Sequence, residues 1–369
     1  MKTNDTTHSQ ERAAVDSAVM ICVGLDVHAV QAVAVMQVGG MVPKPPRKMG
    51  TDQVVGWIGG LAKEYPGAEI HSCYEAGPCG FWLHRELVAK GVRNVVVAPV
   101  ALNGMRKTDQ RDARRLCELL GRHARKDRHA FSVVAVPNPK QEMERALVRH
   151  RQGQLKDLAR CTQRGRSLTL LQGERIGRRW WGPRNWPAVQ AAVAPALVPI
   201  LENYRAQAVQ LWEQIRALDK QIAELAKEQK ASVPRGIGAL TWMTLLLEVV
   251  DWSRFKNRRQ VASYTGLCPG EHSSGGRRME LSIDKHGNRR VRRALVEAAW
   301  RLNLWQPAYP PLAKLRAAEG RRSRKRAIVA VARRLAIDLW RLATGQTTAD
   351  KLGLTSTANP LHLAVAKTV

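Results

Sequence analysis

The strongest constraint on the fold lies between Met20 and Pro99, where short apolar runs alternate with helical patterns and single acids sit at their ends. Met20-Ile-Cys-Val-Gly-Leu-Asp-Val-His28 is an apolar run broken by one acid, Asp26. Ala29 to Val38 is apolar again and stops at Gly39-Gly40, so the pair predicts a hairpin of buried strands with Asp26 near its tip. Thr51 to Tyr65 carries Val54, Val55, Ile58 and Leu61 at helical spacing. Ala68 to Glu75 reads as the next strand, closed by Glu75 and the turn Ala76-Gly-Pro-Cys-Gly80. Phe81 to Lys90 reads as a helix and Asn94 to Pro99 as a further strand. Strands of this length separated by helices predict an α/β domain whose functional groups collect at strand ends.

The stretch Leu102 to Leu116 follows, with Asp109 and Asp112 three residues apart and Leu116, Leu119 and Leu120 continuing a helix. Two carboxylates at i and i+3 share a helix face, about 5–6 Å apart at Cβ. They either sit in solvent at a helix start, where the dipole favours acids, or hold a cation between them. Asp26 has two readings of the same kind, a turn cap or a ligand at a strand end. Taken together, Asp26, Glu75, Asp109 and Asp112 form a four-acid set, the layout of a two-metal phosphodiester site with ions about 3.5–4 Å apart. Oxygen ligands suit Mg²⁺ or Mn²⁺, and Lys107 lies within reach of a phosphate.

The chain of 369 residues has room for two or three domains. Its 60 Lys and Arg against 31 Asp and Glu leave a formal charge of +29, which points to a polyanionic partner rather than a small metabolite. No apolar run approaches the roughly 20 residues of a membrane span, and no signal-peptide pattern is visible, so a soluble, cytoplasmic (bacterial, nucleoid-associated) protein with no membrane partner is expected. Six scattered cysteines without a CxxC pair argue against zinc fingers and a disulfide framework.

Past Pro137-Asn-Pro139, residues 141–172 are polar and basic with weak helical spacing. The tryptophans of Arg178-Arg-Trp-Trp-Gly-Pro-Arg-Asn-Trp-Pro187 either pack the tip of a helical arm or stack on bases. Leu201, Tyr204, Ala208, Leu211, Ile215, Leu218, Ile222 and Leu225 alternate steps of three and four, an unbroken coiled-coil seam that pairs within the chain or between subunits. Val233-Pro-Arg-Gly-Ile-Gly238 is a glycine turn before the helix Ala239–Val250, either a tight turn alone or a phosphate cradle. Cys268 to Arg278 reads as a Ser-Gly loop, and a helix is expected over Ala294–Leu304. Residues 251–345 hold 22 Lys and Arg against 7 Asp and Glu, so the charge concentrates there. Arg321-Arg-Ser-Arg-Lys-Arg326 opens a helix with Ile328, Val331, Leu335 and Leu339 on its apolar face, and the chain from Thr344 on reads as loose. The domains expected are a disordered tail (1–19), an α/β domain (20–138), a helical arm (139–230), a basic helical domain (231–345) and a C-terminal tail (346–369).

Gly24-Leu-Asp26, Tyr74-Glu-Ala-Gly77 and Lys107-Thr-Asp-Gln-Arg-Asp-Ala113 resemble the acidic motifs of the insertion-sequence one-ten transposases, especially the one-eleven-eleven branch. Pro234-Arg-Gly-Ile-Gly238, Phe255, Tyr264-Thr-Gly-Leu-Cys-Pro269, Ser274-Gly275 and Gly287-Asn-Arg-Arg-Val-Arg292 resemble the family's second domain. The resemblance spans roughly residues 20–345. It implies an N-terminal RuvC-like domain of ribonuclease-H fold, a helical coiled-coil insertion and a mainly α-helical transposase domain. It implies Asp26, Glu75, Asp109 and Asp112 as ligands of Mg²⁺ or Mn²⁺ and Ser274 as a nucleophile forming a phosphoserine link to DNA, with Ser273 the neighbouring alternative. Lys107, Arg277, Arg278, Arg289, Arg290, Arg292 and Arg293 are the candidate nucleic-acid contacts. The partners it implies are donor and target DNA, a structured non-coding guide RNA and further copies of the chain as a dimer or tetramer. Two other readings compete: a metal-only RuvC-type junction nuclease, and a non-catalytic nucleic-acid-binding scaffold.

Overall fold

The computed structural model describes residues 19–100, 108–127, 129–229, 232–274 and 277–357, with residues 271–274, 277, 278, 280 and 281 described by their backbone alone. The expected disordered tail lies outside the described residues up to residue 18. The chain forms two compact units that divide between Val136 and Pro137.

The first unit is built on strands β1 (Met20–Val27), β2 (Gln31–Val38) and β3 (Arg47–Gly50), helix α1 (Val54–Glu64), β4 (Glu69–Glu75), α2 (Trp82–Ala89), β5 (Arg93–Val97) and α3 (Asp109–Ala124). The sheet order is β3-β2-β1-β4-β5. β1–β2 and β2–β3 are antiparallel, whereas β1–β4 and β4–β5 are parallel. The short edge strand β3 carries no apolar alternation, and the sequence reading passed over it. Side chains alternate across β1. Ile21, Val23 and Leu25 face one way, onto Val54, Ile58 and Leu61 of α1 and Leu83 and Leu87 of α2. Cys22 faces the other way, with Val33, Val35, Cys73 and Val97, onto Ala113, Leu116, Cys117 and Leu120 of α3. By the same period, Asp26 leaves the sheet on the α3 side.

The second unit opens with α4 (Pro139–Leu171), started by a capping box between Asn138 and Gln141. α5 (Trp186–Ala192) and α6 (Val198–Glu228) follow. α6 runs back along α4, with Tyr204 beside Cys161, Asp219 paired to Arg151 and Glu228 near Lys140. Every seventh residue of the seam, Leu201, Ala208, Ile215 and Ile222, is fully buried. The seam therefore pairs within the chain. Trp180, Trp181 and Trp186 are buried at the far end of this hairpin, so packing, not base stacking, is their role. The Trp180 ring packs against Gly165, where any Cβ would collide with it.

Beyond the hairpin come β6 (Val233–Pro234), α7 (Ala239–Val249), α8 (Arg258–Thr265), β7 (Pro269–Ser274), β8 (Arg277–Ile283), α9 (Arg289–Trp305), α10 (Ala313–Arg316), α11 (Gly320–Ala343) and β9 (Ser356–Thr357). One core joins α7, α8, α9 and α11 through Leu245, Val261, Leu295, Leu302, Leu335 and Leu339. Three expectations change here. The Ser-Gly segment expected as a loop is an antiparallel ribbon, β7–β8. Helix α9 begins at Arg289, not Ala294, because Asn288 caps it by accepting from the Arg290 and Val291 N–H groups. The chain also stays folded past Thr344, as far as it is described. Leu352 and Leu354 are buried, β9 pairs with β6, and the buried Gln306 donates to the Arg235 and Thr355 carbonyls while accepting from the Thr355 N–H.

Candidate metal centre

Gly24 is the residue that positions this site. A Cβ there would meet the Cys117 backbone nitrogen at 2.2 Å and the Ala113 carbonyl at 2.3 Å. Only glycine lets α3 lie this close on β1. That contact brings the first turn of α3 over the end of β1, where Asp26 sits. The helix is capped by Thr108, whose Oγ1 accepts from the Arg111 N–H at 3.4 Å, and Asp109 and Asp112 fall in its first turn. Acids there are favoured by the helix dipole.

The carboxylates converge. Ligand atoms of Asp26, His28 and Asp109 all lie within 4.8 Å of one another. His28 Nε2 is 3.5 Å from Asp26 Oδ2 and 3.8 Å from Asp109 Oδ1. Burial pushes the Asp26 carboxyl above its ordinary range; the His28 charge pulls it down, and the Asp109 and Asp112 charges push it up again. A half-buried carboxylate with two further acids facing it is a donor set that a hard divalent cation fits, because the cation replaces repulsion with coordination.

Glu75 stands one register step beyond the Leu25–Tyr74 pair, at the end of the neighbouring parallel strand. Its Oε1 accepts from the Val100 N–H at 2.9 Å, and it lies outside the Asp26–His28–Asp109 trio. The structure thus brings Asp26 and Asp109 together, places Asp112 within charge range of Asp26, and leaves Glu75 on a backbone amide. Lys107 lies outside the described residues. His28 was not singled out in the sequence. Its signal was its place two residues after Asp26 in a turn.

Ser273 and Ser274 lie on β7, and the backbone register sets Ser273 opposite Arg278 and Ser274 opposite Arg277. Arg289, Arg290 and Arg293 are exposed, although Arg293 pairs with Glu297 and Arg290 lies 3.7 Å from Glu248. Arg292 is committed to structure: its Nη1 donates to the Thr265 carbonyl at 3.0 Å and holds the turn after α8. The glycine turn 236–238 is close-packed, with Trp305 against Gly236 and Arg301 against Gly238.

Residues 231–311 match the Transposase IS116/IS110/IS902 family. The chain is 34% identical, over 66% of its length, to the Sinorhizobium fredii protein y4qE, which is described as a transposase. It is 29% identical, over 63% of its length, to the transposase for insertion sequence element IS1533 of Leptospira borgpetersenii. It is 25% identical, over 74% of its length, to the transposase for insertion sequence element IS1111A of Coxiella burnetii. These matches span 60%, 70% and 77% of the three relatives. In its matched segment and along these relatives the chain is similar to IS116/IS110/IS902 family transposases, and it spans 60% of the length of the first of them.

Proposed function

We propose that the chain is the transposase of an insertion sequence, cutting and rejoining DNA with divalent-metal help and a serine nucleophile. The observation that carries this reading is the convergence of Asp26 with Asp109, at the end of a central parallel strand, in a chain whose second unit holds the family match. The sheet order, with acids at the ends of β1 and β4 and at the start of α3, supports a RuvC-like, ribonuclease-H fold for the first unit.

In this reading Asp26, Asp109 and Asp112 hold Mg²⁺ or Mn²⁺, joined by Glu75 once its carboxylate leaves the Val100 amide. Bound there, the cation supplies Lewis-acid polarisation of a phosphodiester oxygen. Ser274 Oγ attacks phosphorus and gives up its proton; the Oγ–P bond forms as a P–O bond of the DNA breaks, and the departing oxygen takes a proton. The exchange is one ester for another and needs no outside energy source. Arg277 and Arg278, across the ribbon, balance charge on the phosphate. Arg289, Arg290, Arg293 and Lys107 add backbone contacts. The basic first turns of α11, exposed from Arg321 to Arg326 with no acid among them, fit the same polyanion. Tyr204, Leu211 and Leu218 remain half-buried on the hairpin, in keeping with a homo-oligomer. A structured guide RNA beside the donor and target DNA rests on the family resemblance. No described helix is long and apolar enough to cross a membrane.

The test is a denaturing trap. The full chain is incubated with its flanking element DNA and Mn²⁺, denatured, and probed for covalently linked DNA. Wild type is expected to carry the adduct and Ser274→Ala to lose it. An adduct lost only in Ser273→Ala moves the nucleophile by one residue. Cleavage with no adduct assigns the chemistry to the acid centre alone.

A further inference from the structure

We propose that His28 is a nitrogen ligand of the cation at this centre and that it shifts the centre's preference from Mg²⁺ toward Mn²⁺. The inference rests on the reading of Asp26 and Asp109 as metal ligands. Three observations carry it.

The first is distance. At 3.5 and 3.8 Å from the two carboxylates, His28 Nε2 is too far for a good hydrogen bond to either. An octahedral ion with bonds of about 2.1 Å separates its ligand atoms by about 3.0 Å when adjacent and about 4.2 Å when opposite. Both His28 distances fall inside that interval, and the three ligand atoms lie within 4.8 Å of one another. The second is preorganisation. The β1–β2 turn is clamped at His28 on both sides of its peptide unit. Its N–H donates to the Gln31 carbonyl at 2.9 Å, and its carbonyl accepts from Thr51 Oγ1 at 2.9 Å. Thr51 is itself buried, and its N–H donates to the Val30 carbonyl at 2.9 Å. The imidazole therefore hangs from a fixed backbone rather than a free loop. The third is access. The His28 side chain is 57% exposed while Asp26 is 22% exposed, so the ring stands on the solvent side of the deeper carboxylate and is open to an incoming ion.

The donor set then sets selectivity. Mg²⁺ favours oxygen ligands and sheds its water reluctantly. Mn²⁺ accepts the same carboxylates and tolerates an imidazole better. One nitrogen among the oxygens is thus worth more to Mn²⁺ than to Mg²⁺.

The experiment uses the full chain, with Mn²⁺ as probe. Free Mn²⁺ is counted by electron paramagnetic resonance during titration, and the bound ion is examined in frozen solution by electron spin-echo modulation, which detects a directly coordinated ¹⁴N. Wild type is expected to show ¹⁴N modulation. His28→Ala is expected to lose it while still binding Mn²⁺, on the order of tenfold more weakly, with Mg²⁺ competition changed less than about threefold. Circular dichroism of the variant against wild type checks that the fold is kept. Bound Mn²⁺ without ¹⁴N modulation in wild type, or modulation unchanged in His28→Ala, overturns the inference and leaves a carboxylate-only centre. Failure of wild type to bind Mn²⁺ any better than Asp26→Asn overturns the reading beneath it.

Discussion

At the residue scale, Gly24, the carboxylates and His28 of the candidate centre differ in how the sequence displayed them. Gly24 stood in the apolar run and in the Gly24-Leu-Asp26 motif, with no role of its own assigned to it. Its reason is visible only in three dimensions, because the helix it admits begins 85 residues later at Asp109. Gly24→Ala is expected to force α3 off β1, costing about 3 kcal/mol as an overpacked site with backbone on the far side. Urea unfolding reads that loss, and Mn²⁺ titration should show weakened binding as Asp109 moves away from Asp26. Asp26 and Asp109, which the fold brings together, were singled out because each acid stands at the end or start of an apolar pattern; Glu75, singled out in the same way, lies outside their cluster. His28 was not singled out, since a histidine in a turn is unremarkable until its ring is seen beside two carboxylates. The cysteines of the same unit make a second residue-scale case. Burial pushes the Cys22 thiol up to about 11 and the Cys117 thiol up to about 12, and it raises Cys73 as well. Thiolates are the reactive form. Iodoacetamide at pH 8 should therefore label Cys79 and Cys268 in the native chain well before these three, with mass spectrometry of the digest locating the adducts. Early labelling at Cys117 would mean that α3 opens readily from the sheet.

At the element scale, α4 and α7 are tied by one ion pair. Arg149 donates two hydrogen bonds of 2.8 Å to the two oxygens of Glu248, whose side chain is 3% exposed, and Asn288 donates a third at 3.1 Å. Burial alone would raise the Glu248 carboxyl, but the Arg149 bonds and charge outweigh it and hold the group below its ordinary value of 4.5. A folded-state value below the unfolded one means stability that is fully present above pH 4.5 and drains away as pH falls through the folded value. The second unit should lose stability below that point, and Glu248→Gln should flatten the loss in acid titrations followed by circular dichroism. Arg149→Ala is expected to cost about 3 kcal/mol at neutral pH, the low end for a broken buried pair because Arg149 is partly solvated and Asn288 remains. The heptad seam announced this hairpin through its strict spacing of apolar residues. The β7–β8 ribbon was only half hidden: β7 is polar and glycine-flanked, but Met279, Leu281 and Ile283 alternate along β8 with Glu280 and Ser282, a strand signal that the Ser-Gly loop reading passed over. The start of α9 was hidden too. Its arginines resemble a solvated loop until Asn288 is seen accepting their first amides. The chain end was misjudged because its anchoring is done by backbone groups bonded to Gln306, which composition does not report.

At the scale of the whole molecule, the formal charge of +29 has to be reconciled with stability. α11 sharpens the problem. Arg321, Arg322, Arg324, Lys325 and Arg326 occupy the first turns of a helix whose N-terminus is already positive, and no acid sits in its first turn. Each cation in the first turn costs on the order of 0.3–1 kcal/mol at low salt, and those of the second turn add like-charge repulsion. The helix tolerates this because its other end is driven into the core by Ile328, Val331, Leu335 and Leu339. Cations held against the dipole and left in solvent are poised for phosphates, whose binding relieves both penalties at once. Replacing Arg322 and Lys325 by glutamine should therefore have two opposite effects on the same protein. Thermal stability at low salt should stay level or rise slightly, because repulsion at the helix start falls. Affinity for DNA should fall, and the slope of log K against log salt should shrink by about 0.9 for each phosphate contact removed from a duplex. Fluorescence anisotropy of a labelled duplex at a series of salt concentrations measures the slope, and calorimetry of the free protein measures the stability. Unchanged slope would place the polyanion elsewhere on the surface. Lost stability with unchanged slope would show that these residues serve the fold, and that the charge of the second unit meets nucleic acid through α9 and the β7–β8 ribbon instead.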